Sequence, residues 1–241
     1  LLRRLWRGAH RRWRGRTDPA VREVRLRGGM IQKVVRVGDT VRRRPQANAD
    51  FVRVLLGKLE AAGFDGVPRW LGIDARGRDI FSFVEGAVPL GLGHHDDATL
   101  RQAASLIRRY HDATAAFCED GRVACHNDLS PCNVVFRDGV PVALIDFDNA
   151  AEGERMFDLG YAAWLWLDIG NEADYSHAEQ LRRLRLFAAA YGPSIELVPL
   201  LDQILLRQRL LIEMPFPWRL RGIGIWARRC LEATLRLKAA V

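Results

Sequence analysis

A hairpin bracketed by two polar clusters constrains this chain more than any other feature of its sequence. Residues 134–136 read VVF, residues 140–145 read VPVALI, and Arg137-Asp138-Gly139 joins them. Asp-Gly is a strong signal for a tight hairpin turn, because both central residues must adopt positive φ. His126-Asn127-Asp128-Leu129-Ser130-Pro131-Cys132-Asn133 stands before the ribbon, and Asp146-Phe147-Asp148 stands after it. An antiparallel ribbon returns to where it began, so Asp146 is expected beside Asn133. That places two oxygen donors within reach of one hard cation, a set that magnesium accepts with water and phosphate completing its shell.

The rest of the chain divides around this ribbon. Residues 21–45 alternate as strands, broken at Gly28-Gly29 and turned at Gly38-Asp39. A helix is expected over 47–62, with Val52, Leu55, Leu56 and Leu59 on one face and Gly63 as its stop. Short strands follow at 69–73 and 80–84. Beyond a Gly- and Pro-rich connector, FVEGAVPLGLG, the pattern turns helical: 98–116, then 159–167, 176–191, 195–212 and 218–239. The expected organisation is a basic extension over 1–20, a β-rich N-terminal lobe over 21–86 and a helical C-terminal lobe over 87–241, with a cleft between the lobes.

Charge excludes less than its total suggests. The formal net charge is +8, but ten arginines lie in the first 27 residues against only Asp18 and Glu23, so the remainder is neutral. Nucleic-acid binding is therefore not expected of the body. The arginine-rich extension, which carries Trp6 and Trp13, is the part suited to an anionic surface. It also has the composition of an organelle transit peptide, although a flexible, solvated extension is the expectation. No run of eighteen uncharged apolar residues appears, so no membrane span is expected. Four cysteines do not make a disulfide framework, and a reducing cytoplasm is the expected location.

Phosphoryl transfer by kinases needs an acid at the attacking hydroxyl and oxygen ligands for magnesium under the phosphates. Protein kinases place them as H-R-D-x-x-x-x-N followed by D-F-G. Asp128 and Asn133 have that spacing, and Asp146-Phe147 supplies D-F with Asp148 in the glycine position. CHNDLSPCNVVF, ALIDFDNA and MFDLGYAAW together resemble the aminoglycoside phosphotransferase and choline kinase family. The resemblance runs from about residue 20 to 240 and is concentrated over 124–164. It implies an α+β, bilobal protein-kinase-like fold, ATP or GTP with Mg²⁺, and phosphorylation of a small hydroxyl-bearing substrate.

Carried onto this sequence, the resemblance makes Asp128 the catalytic base and His126 a brace for its loop. Asn133 and Asp146 become metal ligands, with Asp148 assisting, and Asp158 anchors the loop from the following helix. Phe83, Val84 and Glu85 would meet the nucleotide base through backbone groups. Gly28-Gly29 stands where a glycine-rich loop is expected, although G-x-G-x-x-G is absent. The phosphate-holding strand lysine is also absent. Arg42 or Arg43 in TVRRR is its candidate replacement, and strand alternation cannot choose between them. No acid lies mid-helix in 47–62 to partner such a cation, since Asp50 and Glu60 fall near its ends.

Two other classes compete. A nucleotide-binding protein without turnover is favoured by the weak glycine pair and missing lysine, and opposed by intact Asp128, Asn133 and Asp146. A metal-dependent phosphohydrolase would use His94, His95, Asp96, His111 and Asp112. Against it, His111 lies on an apolar helix face, and Asp96 or Asp97 suits a helix cap. Cys125 and Cys132 are expected to be packing residues. Asp168, Glu172 and Asp174 form either a solvated acidic turn or a contact for a cationic acceptor.

Overall fold

In the computed structural model, residues 22–26, 34–215 and 221–241 are described. The N-terminal part is an antiparallel sheet of β1 (Val24–Arg25), β2 (Val35–Val37), β3 (Thr40–Arg43), β4 (Trp70–Ile73) and β5 (Asp79–Ser82), in the spatial order β1-β2-β3-β5-β4. Helix α1 (Ala49–Ala61) lies between β3 and β4 in the chain and buries Val52, Leu55, Leu56 and Leu59, the four positions with helical spacing. Gly28, Gly29 and the basic extension lie outside the described residues.

The C-terminal part is mostly helical: α2 (Asp97–Ala115), α3 (Arg155–Leu167), α4 (His177–Tyr191), α5 (Leu197–Glu213) and α6 (Arg221–Lys238). Asp96 caps α2, its carboxylate accepting from the Thr99 amide at 2.8 Å. Two ribbons sit on this bundle, β7 (Val134–Arg137) with β8 (Val140–Leu144), and β6 (Val123–Cys125) with β9 (Ala151–Gly153). The second ribbon has no signature in the sequence, because three-residue strands carry too little alternation and their pairing is non-local. Helix α3 begins at Arg155 rather than at 159, so Asp158 lies inside its first turn. The architecture is the two-part α+β, protein-kinase-like arrangement expected from the motifs. No helix among the described residues is long and apolar enough to cross a membrane.

Two glycines set close approaches that the site depends on. Gly160 of α3 faces Gln203 of α5, and a Cβ there would fall 2.6 Å from Gln203 Cβ. Gly86, in the connector, has φ +143° and packs against the Phe136 carbonyl and the Val135 side chain. Next to it, Ala87 and Phe136 exchange backbone hydrogen bonds of 2.8 and 2.7 Å, which pins the connector to β7. Gly86→Ala is expected to destabilise the protein by about 1–3 kcal/mol through backbone strain alone. Thermal unfolding checks this, and an unchanged Tm would show that the connector shifts freely.

Candidate active site

The β7–β8 ribbon turns at Asp138 (φ +52°) and Gly139 (φ +79°), the positive-φ pair that an Asp-Gly turn supplies. Val134 pairs with Leu144, and the Ile145 amide donates to the Asn133 carbonyl at 2.9 Å. The ribbon therefore delivers Asp146 next to Asn133, as the spacing implied. Asn133 sits at the end of a single tight helical turn, Pro131–Asn133. Its Nδ2 donates to the Asp128 carbonyl at 3.0 Å, which orients the side-chain amide and leaves Oδ1 as the ligand-type atom. Asp146 adopts a left-handed conformation (φ +65°), unusual for a residue with a side chain and characteristic of functional loops.

Asp128 is half-buried in the loop between β6 and Asn133. Burial pushes its carboxyl above the usual carboxylate range, against the opposing pull of His126 and Asn133. The Tyr161 hydroxyl lies beside it and helps hold the ionised form. The loop itself is fastened by Asp158, which is fully buried. Its Oδ2 accepts from the His126 amide at 2.7 Å and from His111 Nε2 at 3.1 Å, and its Oδ1 accepts from the Asn127 amide at 2.8 Å. Burial works to raise the Asp158 carboxyl, but His111, the charge near His126 and these amides outweigh it and hold it low. His126 Nε2 donates to the Ile145 carbonyl at 2.9 Å, and its ring lies 4.5 Å from Phe147, so His126 ties the Asp128 loop to the Asp146 loop.

The structure separates the two candidate arginines. Arg43 Nη1 lies 2.9 Å from Asp146 Oδ1 and 2.5 Å from Asp148 Oδ1, a single cation between the two carboxylates. Arg42 is not brought to this cluster: it is buried, bonds to Thr40 Oγ1 at 2.7 Å and pairs with Asp74 at 3.6 Å. Alternation fails to decide because both faces of this short strand meet acidic partners. Burial pushes the Asp148 carboxyl up, with Arg43 opposing. Asp146, Asp148 and the Asn133 amide oxygen are the oxygen donors this segment could offer a hard cation such as magnesium, and Arg43 now bridges the two acids. Phe83, Val84 and Glu85 follow β5, but the Phe83 amide is already bonded to the Asp39 carbonyl at 2.8 Å. Arg36 stacks on the Phe83 ring at 3.6 Å and bonds Glu85 at 2.9 Å.

Two residues that sequence reasoning passed over also belong to the site. Asn48, at the start of α1, donates from Nδ2 to the Phe147 and Ala150 carbonyls, both at 3.2 Å, and so couples that helix to the Asp146-Phe147-Asp148 loop. Arg207 of α5 donates to the Asn127 carbonyl at 2.7 Å. Neither has a local signal, since the partners of Asn48 lie 99 and 102 residues away and that of Arg207 lies 80 residues away.

The competing histidine cluster does not assemble. His111 is buried between Asp158 and the Tyr191 hydroxyl, Asp112 pairs with Arg108 and Arg155, and His94 bonds Tyr175. Among the described residues no three His, Cys, Asp or Glu side chains converge on a metal-sized site. Cys125 is buried against the Glu154 carbonyl. The acidic residues of this turn are already paired: Glu172 with His177 and with Arg236 of α6, while Asp168 accepts from Asn171.

Residues 119–196, which carry both loops and Asp158, match the phosphotransferase enzyme family, and the resemblance read from the motifs is borne out. The fold is shared with a microcompartment-associated aminopropanol kinase (TM-score 0.63, 13% identity, 92% of this chain and 93% of that one). It is shared also with a choline kinase of Streptococcus pneumoniae (TM-score 0.55, 13% identity, 92% and 94%). The trifolitoxin immunity protein of Rhizobium leguminosarum bv. trifolii is 35% identical over 161 residues, 59% of this chain and 61% of that protein. The match thus spans less than two thirds of that relative.

Proposed function

We propose that the chain is a small-molecule kinase that moves the γ-phosphate of ATP or GTP to a substrate hydroxyl. The observation that carries this is the convergence of Asp128, Asn133 and Asp146, with Arg43 lying between Asp146 and Asp148. In this reading Asp128 accepts a hydrogen bond from the acceptor hydroxyl and takes its proton as the oxygen bonds to the γ-phosphorus. The bond from that phosphorus to the β–γ bridging oxygen breaks, and the nucleoside diphosphate leaves. A carboxyl whose pKa is raised by burial is a better proton acceptor than an ordinary aspartate.

Asn133 and Asp146 would hold magnesium, with Asp148 behind them. The metal, when bound, supplies positive charge across the phosphate oxygens. Arg43 then turns from the carboxylates to the phosphates, where its planar fork replaces the missing lysine. The base would meet the backbone of Val84 and Glu85, because the Phe83 amide is engaged. The acceptor is a small hydroxyl compound. Amino alcohols and aminoglycosides form the first panel, and a toxin joins it because one relative is named an immunity protein.

Saturating Mg²⁺ with ATP or GTP is expected to raise the Tm, since a ligand at a hundred times its Kd stabilises by ~2.7 kcal/mol. Asn133→Ala and Asp146→Ala should remove the metal-dependent part of that shift. An unchanged Tm with every metal and nucleotide pair would sink the nucleotide reading.

A further inference from the structure

We propose that Arg207, acting through Asn127, is a positioning residue that makes helix α5 part of the catalytic apparatus. This rests on the phosphotransfer reading and adds a residue to it. The reach of Arg207 begins with Gly160, whose missing side chain lets α3 and α5 touch at Gln203. Arg207 is one helical turn beyond Gln203, so the close approach sets its guanidinium on the far side of α3's first turns. There it lies 4.3 Å from the Phe157 ring and 4.3 Å from the Tyr161 ring. Tyr161 is the side chain beside the Asp128 carboxylate.

From this seat Arg207 Nη2 donates to the Asn127 carbonyl at 2.7 Å and Nη1 to Asn127 Oδ1 at 3.3 Å. The carbonyl belongs to the peptide that joins Asn127 to Asp128, so the bond fixes the plane from which the Asp128 side chain departs. Asn127 has φ +64° and is held from two further directions. Its amide donates to Asp158 Oδ1 at 2.8 Å, and its Nδ2 donates to the Asn149 carbonyl at 2.9 Å, just past the Asp146-Phe147-Asp148 loop. One side chain thus spans the Arg207 helix and the metal loop. Glycine could adopt the same φ but would lose both side-chain bonds. Lysine could not replace Arg207, because stacking between two rings while donating twice to one residue needs a planar fork.

The test compares wild type with Arg207→Met, Arg207→Lys and Asn127→Gly. It uses steady-state kinetics with Mg²⁺-nucleotide and hydrogen exchange of residues 124–133, with α4 as internal reference. Small misplacements of a reacting group cost orders of magnitude in rate. Arg207→Met should therefore lower kcat by ~10-fold or more, with the nucleotide KM within about twofold. Exchange should quicken at 124–133 and not in α4. Arg207→Lys should recover only part of kcat. Asn127→Gly, which keeps the carbonyl bond and the backbone conformation, should fall between wild type and Arg207→Met without loss of Tm. An unchanged kcat, a change confined to KM, or exchange that rises uniformly would overturn the proposal. If wild type transfers no phosphate, the phosphotransfer reading fails on its own. The exchange data still decide the clasp then, since unchanged protection at 124–133 in Arg207→Met refutes it.

Discussion

Asp128→Ala is expected to lower kcat by about 10²–10⁴, the range that a positioned general base contributes. In free energy this is about 2.7–5.5 kcal/mol of transition-state stabilisation. The nucleotide KM should move little, because Asp128 stands outside the Asn133, Asp146 and Asp148 set that faces the phosphates in this account. Stability should not fall with activity. Burial holds the Asp128 carboxyl above its ordinary range, so its ionised form is a cost to the fold at neutral pH. Alanine removes that cost, and the variant's Tm should equal or exceed that of wild type. Steady-state kinetics and a melting curve on one preparation check both halves. Near wild-type turnover would remove Asp128 from the chemistry.

Asp158→Ala should do the opposite, with a large loss of stability from a residue that touches no substrate. Asp158 is fully buried and accepts from the His126 amide, the Asn127 amide and His111. Removing it strands three donors, two of them in fully buried bonds, and breaking one side of a buried polar pair typically costs ~3–5 kcal/mol. In a chain of this size the Tm should drop on the order of 10 °C. The pH dependence has a definite sign. The folded carboxyl is held below its unfolded value, so its contribution is present above about pH 4 and is lost as pH falls through the folded pKa. Wild type should therefore lose more stability than Asp158→Ala between neutral and acid pH. Parallel curves for the two proteins would show that the anchor is not the ionised carboxylate.

The contrast between these two aspartates explains what the sequence disclosed. Asp128, Asn133 and Asp146 were legible because they are arranged by one local device, an Asp-Gly hairpin whose geometry follows from residue type. Asp158 was legible only through the family resemblance, which put it on the following helix, while the start of that helix at Arg155 rather than at 159 was missed. Arg43 could not be told from Arg42, since both faces of β3 carry acidic partners and neither periodicity nor burial marks which one faces Asp146. Asn48 and Arg207 left no trace in the pattern. An asparagine at a helix start reads as an ordinary cap, and an arginine within an amphipathic helix reads as a solvated one. Their meaning comes from carbonyls that only the folded chain brings near. The β6–β9 ribbon escaped for the same reason: Cys125 and Ala151 become neighbours only after the hairpin between them has closed.

The most direct measurement follows the phosphorus itself. ³¹P NMR of Mg²⁺-ATP or Mg²⁺-GTP with the protein and each acceptor of the panel distinguishes a phosphate ester from free phosphate and from intact nucleotide. The account predicts that, with the right acceptor, the γ-phosphate signal is replaced by a phosphomonoester signal together with nucleoside diphosphate, and that Asp128→Ala abolishes the conversion. Free phosphate released equally by wild type and Asp128→Ala, or nucleotide that binds and stays intact with every acceptor, would contradict it.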